Sequence, residues 1–115
     1  MPTSLNNFAT ATQIGVTATD LEATNASESK FVGQLTFTNT SAGAVEVIVY
    51  KLLTSATETA GSGGNWLIKK SVQPGAVWNA IADVGNIVLG NSQTLSAIAG
   101  TTAVINAECA GTVET

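Results

Sequence analysis

From Lys30 to Asn39 the chain alternates in character, with Phe31, Gly33, Leu35 and Phe37 on one side and Lys30, Gln34, Thr36 and Thr38 on the other. A period of two marks a strand with one face in a core and the other in water, and no helix satisfies it. The same signal recurs along the chain. Val45 to Leu53 sets Val45, Val47 and Val49 against Ile48, Tyr50 and Leu52. Apolar residues on both sides fit a central strand, or one whose outer face meets a partner chain. Asn65 to Val72 alternates Trp66, Ile68, Lys70 and Val72 with Leu67, Lys69 and Ser71, and Thr101 to Cys109 sets Ala103, Ile105, Ala107 and Cys109 against Val104, Asn106 and Glu108. Shorter runs occupy Gln13 to Thr19, Ala76 to Ile81, Ile87 to Leu89 and Thr94 to Ala99.

Turn chemistry separates these runs. Asp20 to Ser29 is polar and reads as a loop, and Asn39-Thr40-Ser41-Ala42-Gly43 and Gly90-Asn91-Ser92 read as turns. Gln73-Pro74-Gly75 predicts a type II turn with glycine at the position of positive φ. Thr54 to Gly64 is small, polar and rich in glycine, a connection between strands rather than a linker between domains. The one helix-like stretch is a turn from Trp78 to Asp83. The pattern predicts an all-β chain, an antiparallel β-sandwich of about seven or eight short strands, Ig-like or jelly-roll-like. A length of 115 residues suits one domain. Residues 1–12 are polar and weakly patterned and read as an N-terminal arm pinned by a neighbouring chain, with residues 13–115 forming the sandwich.

Composition narrows the chemistry. The chain has no histidine, and its four basic residues are all lysines, against eight acids, for a net charge of −4. That removes a histidine base, a Ser-His triad and an imidazole ligand. It also removes the bidentate arginine clamp and the basic footprint of a nucleic-acid binder. Cys109 is the only cysteine, so no disulfide forms within the chain, and it reads as a small core residue. Asp20 and Glu22 could share a strand face, but no calcium-loop spacing surrounds them. Gly61-Ser62-Gly63-Gly64 lacks the Lys-Ser/Thr ending of a phosphate loop. No enzyme activity, metal or cofactor is expected. Neither a signal peptide nor a membrane span is expected, because the first residues lack a basic and apolar leader and no apolar run is long enough.

The residues left as candidates are Trp66, Trp78, Tyr50, Lys69 and Lys70. The tryptophans flank the Pro74-Gly75 turn and would fill a core, anchor an interface or stack on a sugar ring. Lys69 and Lys70 are half of the positive charge and would lie on a solvated strand face or meet an acidic neighbouring subunit.

The order of the segments carries a resemblance. Thr10 to Thr19 is followed by Phe37-Thr38-Asn39-Thr40-Ser41, the valine-rich Val45 to Tyr50 and Asn65-Trp66-Leu67-Ile68-Lys69-Lys70. Then come Gln73-Pro74-Gly75, Ile87 to Leu95 and an Ala/Gly strand pair ending in Gly111-Thr112-Val113-Glu114. Together they resemble small β-sandwich virion proteins of tailed bacteriophages, which decorate the capsid or sit at the neck or tail. The resemblance implies a structural subunit made in a bacterial cytoplasm and located in the virion. Its partners would be further copies of itself, as a homotrimer, and the major capsid protein or neck and tail subunits. Capsid decoration (cement) is the first expectation and a neck, collar or tail accessory the second. A carbohydrate- or receptor-binding sandwich is the alternative from another class.

Overall fold

The computed structural model describes residues 3–17, 19–53, 66–101 and 104–114, and at 3–11, 53 and 66 the backbone only. Its elements are β1 (Thr3–Ile14), β2 (Thr19–Ala23), β3 (Ser29–Asn39), β4 (Val45–Leu53), β5 (Trp66–Val72) and β6 (Val77–Asn79). There follow the one-turn helix α1 (Ala80–Val84), β7 (Ile87–Leu89), β8 (Gln93–Ala99) and β9 (Ile105–Glu114).

The pairings nest. β1 pairs with β9, β2 with β8, β3 with both β6 and β7, and β4 with β5, all antiparallel. The chain is thus one long hairpin, rolled so that β9 also joins β3 and β8 also joins β4. Rolling gives two sheets, β1-β9-β3 edged by β6 and β7, and β2-β8-β4-β5. This is the jelly-roll form of the β-sandwich. In the first sheet residues 3–14 lie along the whole of β9, from Thr3 opposite Glu114 to Ile14 opposite Ile105. The expected arm is therefore, from Thr3 onward, the outer strand of a sheet.

The core fills the space between the sheets. Val32, Leu35, Phe37, Ile105, Ala107 and Cys109 from the first sheet meet Val45, Val47, Val49, Leu95, Ala97 and Ala99 from the second. β4 is central, as one reading of its two apolar faces required. Tyr50 lies on the face of β4 opposite to the core valines, yet it is only 2% exposed.

Three details of the sequence reading are corrected. Phe31 does not share a face with Leu35 and Phe37. In the pairing with β9, Val32 stands opposite Gly111 and Gln34 opposite Ala110, so Gly33 is an extra residue. That bulge reverses the phase of the strand, turning Val32 inward and Phe31 outward. Gln13 to Thr19 is not one strand: β1 ends at Ile14, and β2 begins at Thr19 and runs to Ala23, into the expected loop. The last strand continues past Cys109 to Glu114. The Pro-Gly turn is as read, with Gly75 at φ 70 and the Ala76 N–H donating to the Gln73 carbonyl at 3.0 Å. The connection Thr54 to Gly64 falls outside the described residues.

Candidate interaction surface

Phe37 of β3 stands opposite Trp78 of β6, and their rings stack with centroids 5.4 Å apart and planes at 26°. Immediately after Trp78 the chain turns into α1. The Asn79 side chain accepts from the Ile81 N–H at 3.1 Å, and Gly85, at φ 82, closes the turn onto the Ile81 carbonyl. This turn returns Asp83 to the indole. Trp78 Nε1 donates to Asp83 Oδ2 at 2.6 Å, and Lys70 Nζ donates to the same oxygen at 3.0 Å. Lys70 also lies 5.9 Å from the centroid of the Trp78 ring, within reach of its π face. The Trp78 hydrogen bond first, and Lys70 second, hold the Asp83 carboxyl below its usual range.

The three side chains border a cleft of about 380 Å³, also lined by Ser71, Gln73, Val77 and Asn79. A carboxylate that is this acidic and holds two donors on one oxygen is a poor proton acceptor. The cleft offers polar contacts and an ionic anchor.

Lys30, Glu22, Glu28 and Asp20 are also committed within the fold. Lys30 Nζ lies 3.0 Å from Glu22 Oε1 and 3.6 Å from Glu28 Oε1, donates to the Ala23 carbonyl at 2.7 Å, and keeps a side chain only 11% exposed. Asp20 accepts from the Ser96 hydroxyl at 2.7 Å. A register shift between Asp20 and Glu22 sends the two carboxylates to different partners, so they do not form a shared site. Among the described residues no group of three acids or cysteine could hold a metal ion, and no helix is long and apolar enough to cross a membrane. Cys109 is buried, and desolvation pushes its thiol pKa up to about 12.

Of the five residues singled out in the sequence, the structure brings Trp78 and Lys70 together. Trp78 is 5% exposed and its indole N–H is taken, so its ring is part of the core. Tyr50 is buried. Lys69 is exposed beside Ile48, on the face of β5 opposite to Lys70. Trp66 begins β5 opposite Tyr50. Two features escaped the sequence reading. Asp83 links Trp78 to Lys70, and its signal was the Asn79 cap that turns the chain back five residues after the tryptophan. Phe31 and Val88 stand opposite each other on β3 and β7, 43% and 50% exposed, beside a hollow of about 170 Å³ shared with Ser29, Thr112 and Glu114. The signal there was Gly33, since a glycine inside a strand marks a bulge.

No family model and no curated protein matches the chain. Solved structures do share its fold. A chain from work described as "Bacillus endospore appendages form a novel family of disulfide-linked pili" is similar over 98% of this chain and 88% of its own, at 17% identity and a TM-score of 0.55. A chain of the infectious bursal disease virus Gx strain is similar over 97% of this chain, at 14% identity and a TM-score of 0.50. This chain spans only 32% of that viral one. At such identities the likeness establishes a common fold.

Proposed function

We propose that this jelly-roll chain is a structural subunit of a bacteriophage particle, one that associates with copies of itself and packs on other virion proteins. Capsid decoration is its first role and a neck or tail accessory role the alternative. The observation that supports the reading is the fold, which covers nearly all of this chain and recurs in a virus chain and in a chain of an endospore pilus.

The side chains fit a mechanical role. Trp78, Asp83, Lys70, Lys30 and Glu22 are spent inside the domain, on locking its loops and ends. Among the described exposed residues Thr, Ser, Asn and Ala outnumber the charged ones, and they can be buried between subunits at a smaller desolvation cost than charges. A standard interface buries roughly 1,600 Å². Many such contacts repeated over a shell, three copies about each threefold position, oppose separation of the subunits beneath through avidity. The linkage is non-covalent. Unlike the pili described as disulfide-linked, this chain has a single cysteine, and Cys109 is buried with a weakly acidic thiol.

Gold-labelled antibody against the chain, applied to particles from cells that carry its gene, tests the proposal. Label over the head is the expected result. Label confined to neck or tail supports the accessory role instead, and particles without label overturn the assignment.

A further inference from the structure

A sandwich of two open sheets has four edges, and each edge presents backbone N–H and C=O groups that another strand can pair with. Three of the four carry devices against such pairing. β2 has five residues, two of them acids (Asp20 and Glu22), and a register shift between those two. β5 carries Lys69 and Lys70 in seven residues, with a shift opposite Val49 and Tyr50. The far edge of the first sheet is split into β6 and β7, three residues each, with α1 between them.

β1 is different. It is twelve residues long, TSLNNFATATQI, without an acid, a lysine, a proline or a glycine. Its two register shifts against β9 come after Asn7, so Thr3 to Asn7 runs in regular pairing opposite Glu114 to Ala110. Among the described residues no strand pairs with its outer edge.

We infer that the outer edge of β1, over Thr3–Asn7, pairs with the same edge of a second copy, antiparallel across a two-fold axis. This deepens the proposed structural role and rests on it. Charge selects the occupant. Self-pairing of β2 would set acids against acids, and self-pairing of β5 lysines against lysines, and like charges across a ladder are destabilising. Self-pairing of β1 sets only neutral residues against neutral residues. The contact is isologous, so it closes at two copies and joins β3-β9-β1 of one to β1-β9-β3 of the other in one continuous sheet. Leu5, the midpoint of the regular stretch, stands opposite Thr112, which stands opposite Phe31, which stands opposite Val88. The row that carries the two exposed apolar side chains therefore ends at the centre of the joint. On a particle surface this two-fold contact would link neighbouring sets of three.

Light scattering after size-exclusion chromatography, at 10 and 200 µM (roughly 20-fold apart, spanning the micromolar affinities common for such contacts), tests the pairing on three chains. These are the wild type, the edge variant Ser4→Lys/Asn6→Lys, and the control Asn86→Lys/Asn91→Lys, which adds the same charge in exposed loops. The expected result is an even-numbered wild-type species, unchanged in the control and halved in mass in the edge variant, with a circular dichroism melt confirming that it is folded. A wild type that is oligomeric but odd-numbered, or an edge variant of unaltered mass, overturns the β1 pairing and leaves the structural role standing. A wild type that is monomeric at both concentrations, from a gene whose particles take no label, overturns both. A monomeric wild type with labelled particles overturns the pairing alone. Should the edge variant unfold, amide exchange of the wild type decides. Protection of residues 3–7 that rises with concentration supports the joint, and protection independent of concentration overturns it.

Discussion

The side-chain amide of Asn39 donates to the carbonyl oxygen of Val72 at 2.8 Å, across 33 residues of chain. Its Nδ2 also donates to the Gly43 carbonyl, while its Oδ1 accepts from the Ser41 N–H and hydroxyl. The Asn39 backbone donates to the Ala76 carbonyl and accepts from the Gly75 N–H. One fully buried residue thus ties the end of β3 to the β3–β4 turn, the end of β5 and the Pro-Gly turn.

Asn39→Asp keeps the shape and the bonds from Ser41, but it replaces a donor with an oxygen facing two carbonyls. Leaving a buried polar group unpaired costs about 1–3 kcal/mol, more for a charged group. The variant should melt well below the wild type at pH 7 and recover part of the loss at pH 4, where the carboxyl can carry a proton. Equal melting temperatures at pH 7 would show that the amide donors contribute nothing.

A Cβ on Gly111 would lie 1.8 Å from the Phe31 carbonyl oxygen, backbone against backbone, with no flexible side chain to yield. The close approach occurs where the Gly33 bulge brings β3 onto β9. Gly111→Ala should cost at least the roughly 1–3 kcal/mol of an overpacked core, read by urea denaturation. By contrast Gly33, whose Cβ position is open, should accept alanine at far smaller cost.

The Asp83 carboxyl is held below its ordinary range by Trp78 and Lys70. A depressed folded-state pKa contributes stability above the unfolded value, and that contribution fades as pH falls through the folded one. Asp83→Asn should therefore flatten the pH dependence of the melting temperature at and below pH 4. It should also shift the Trp78 emission at pH 7, since it removes a charge from the indole N–H. A pH dependence identical to that of the wild type would show that the ion pair plays no part in acid stability.

Cys109 should fail to react with a thiol reagent at pH 8 in the folded chain and react fully in denaturant, because burial keeps the thiol protonated and out of reach. The pKa raised in the fold also predicts stability that is complete below the unfolded value near 9 and declines as pH rises toward 12. Reductant should leave any assembly of the chain intact. Disassembly by reductant alone would mean that the thiol is reached in the assembled state.

Local pattern was enough to read β4, β5, β7 and β8, the Pro-Gly turn and the short helix after Trp78. Each rests on residues close together in the chain. β1 was not read, because Leu5, Phe8 and Ile14 are unevenly spaced in a strand whose two register shifts break the period. Phe31 was placed on the wrong face because Gly33 preserves the alternation in the sequence while adding a residue to the strand. The bond from Trp78 to Asp83 depends on a cap, and the nesting of strand pairs depends on contacts between distant residues. Neither is expressed in a period of two.

The order in which the ribosome releases the strands has a consequence for how the chain reaches this form. β9 is made after every other described strand, yet it lies between β1 and β3 and supplies the pairing groups for both. Until it arrives, β1 lacks its partner and β3 is bare along the edge that β9 will fill. Before then the pairings open to the chain are those without β9: β4 with β5, β3 with β6 and β7, and β8 with β2 and β4. Completion is slow by its nature, because the pairing of β1 with β9 must close a loop of nearly the whole chain. The neutral strand Thr3–Ile14 is thus unpaired on both sides until β9 has been made.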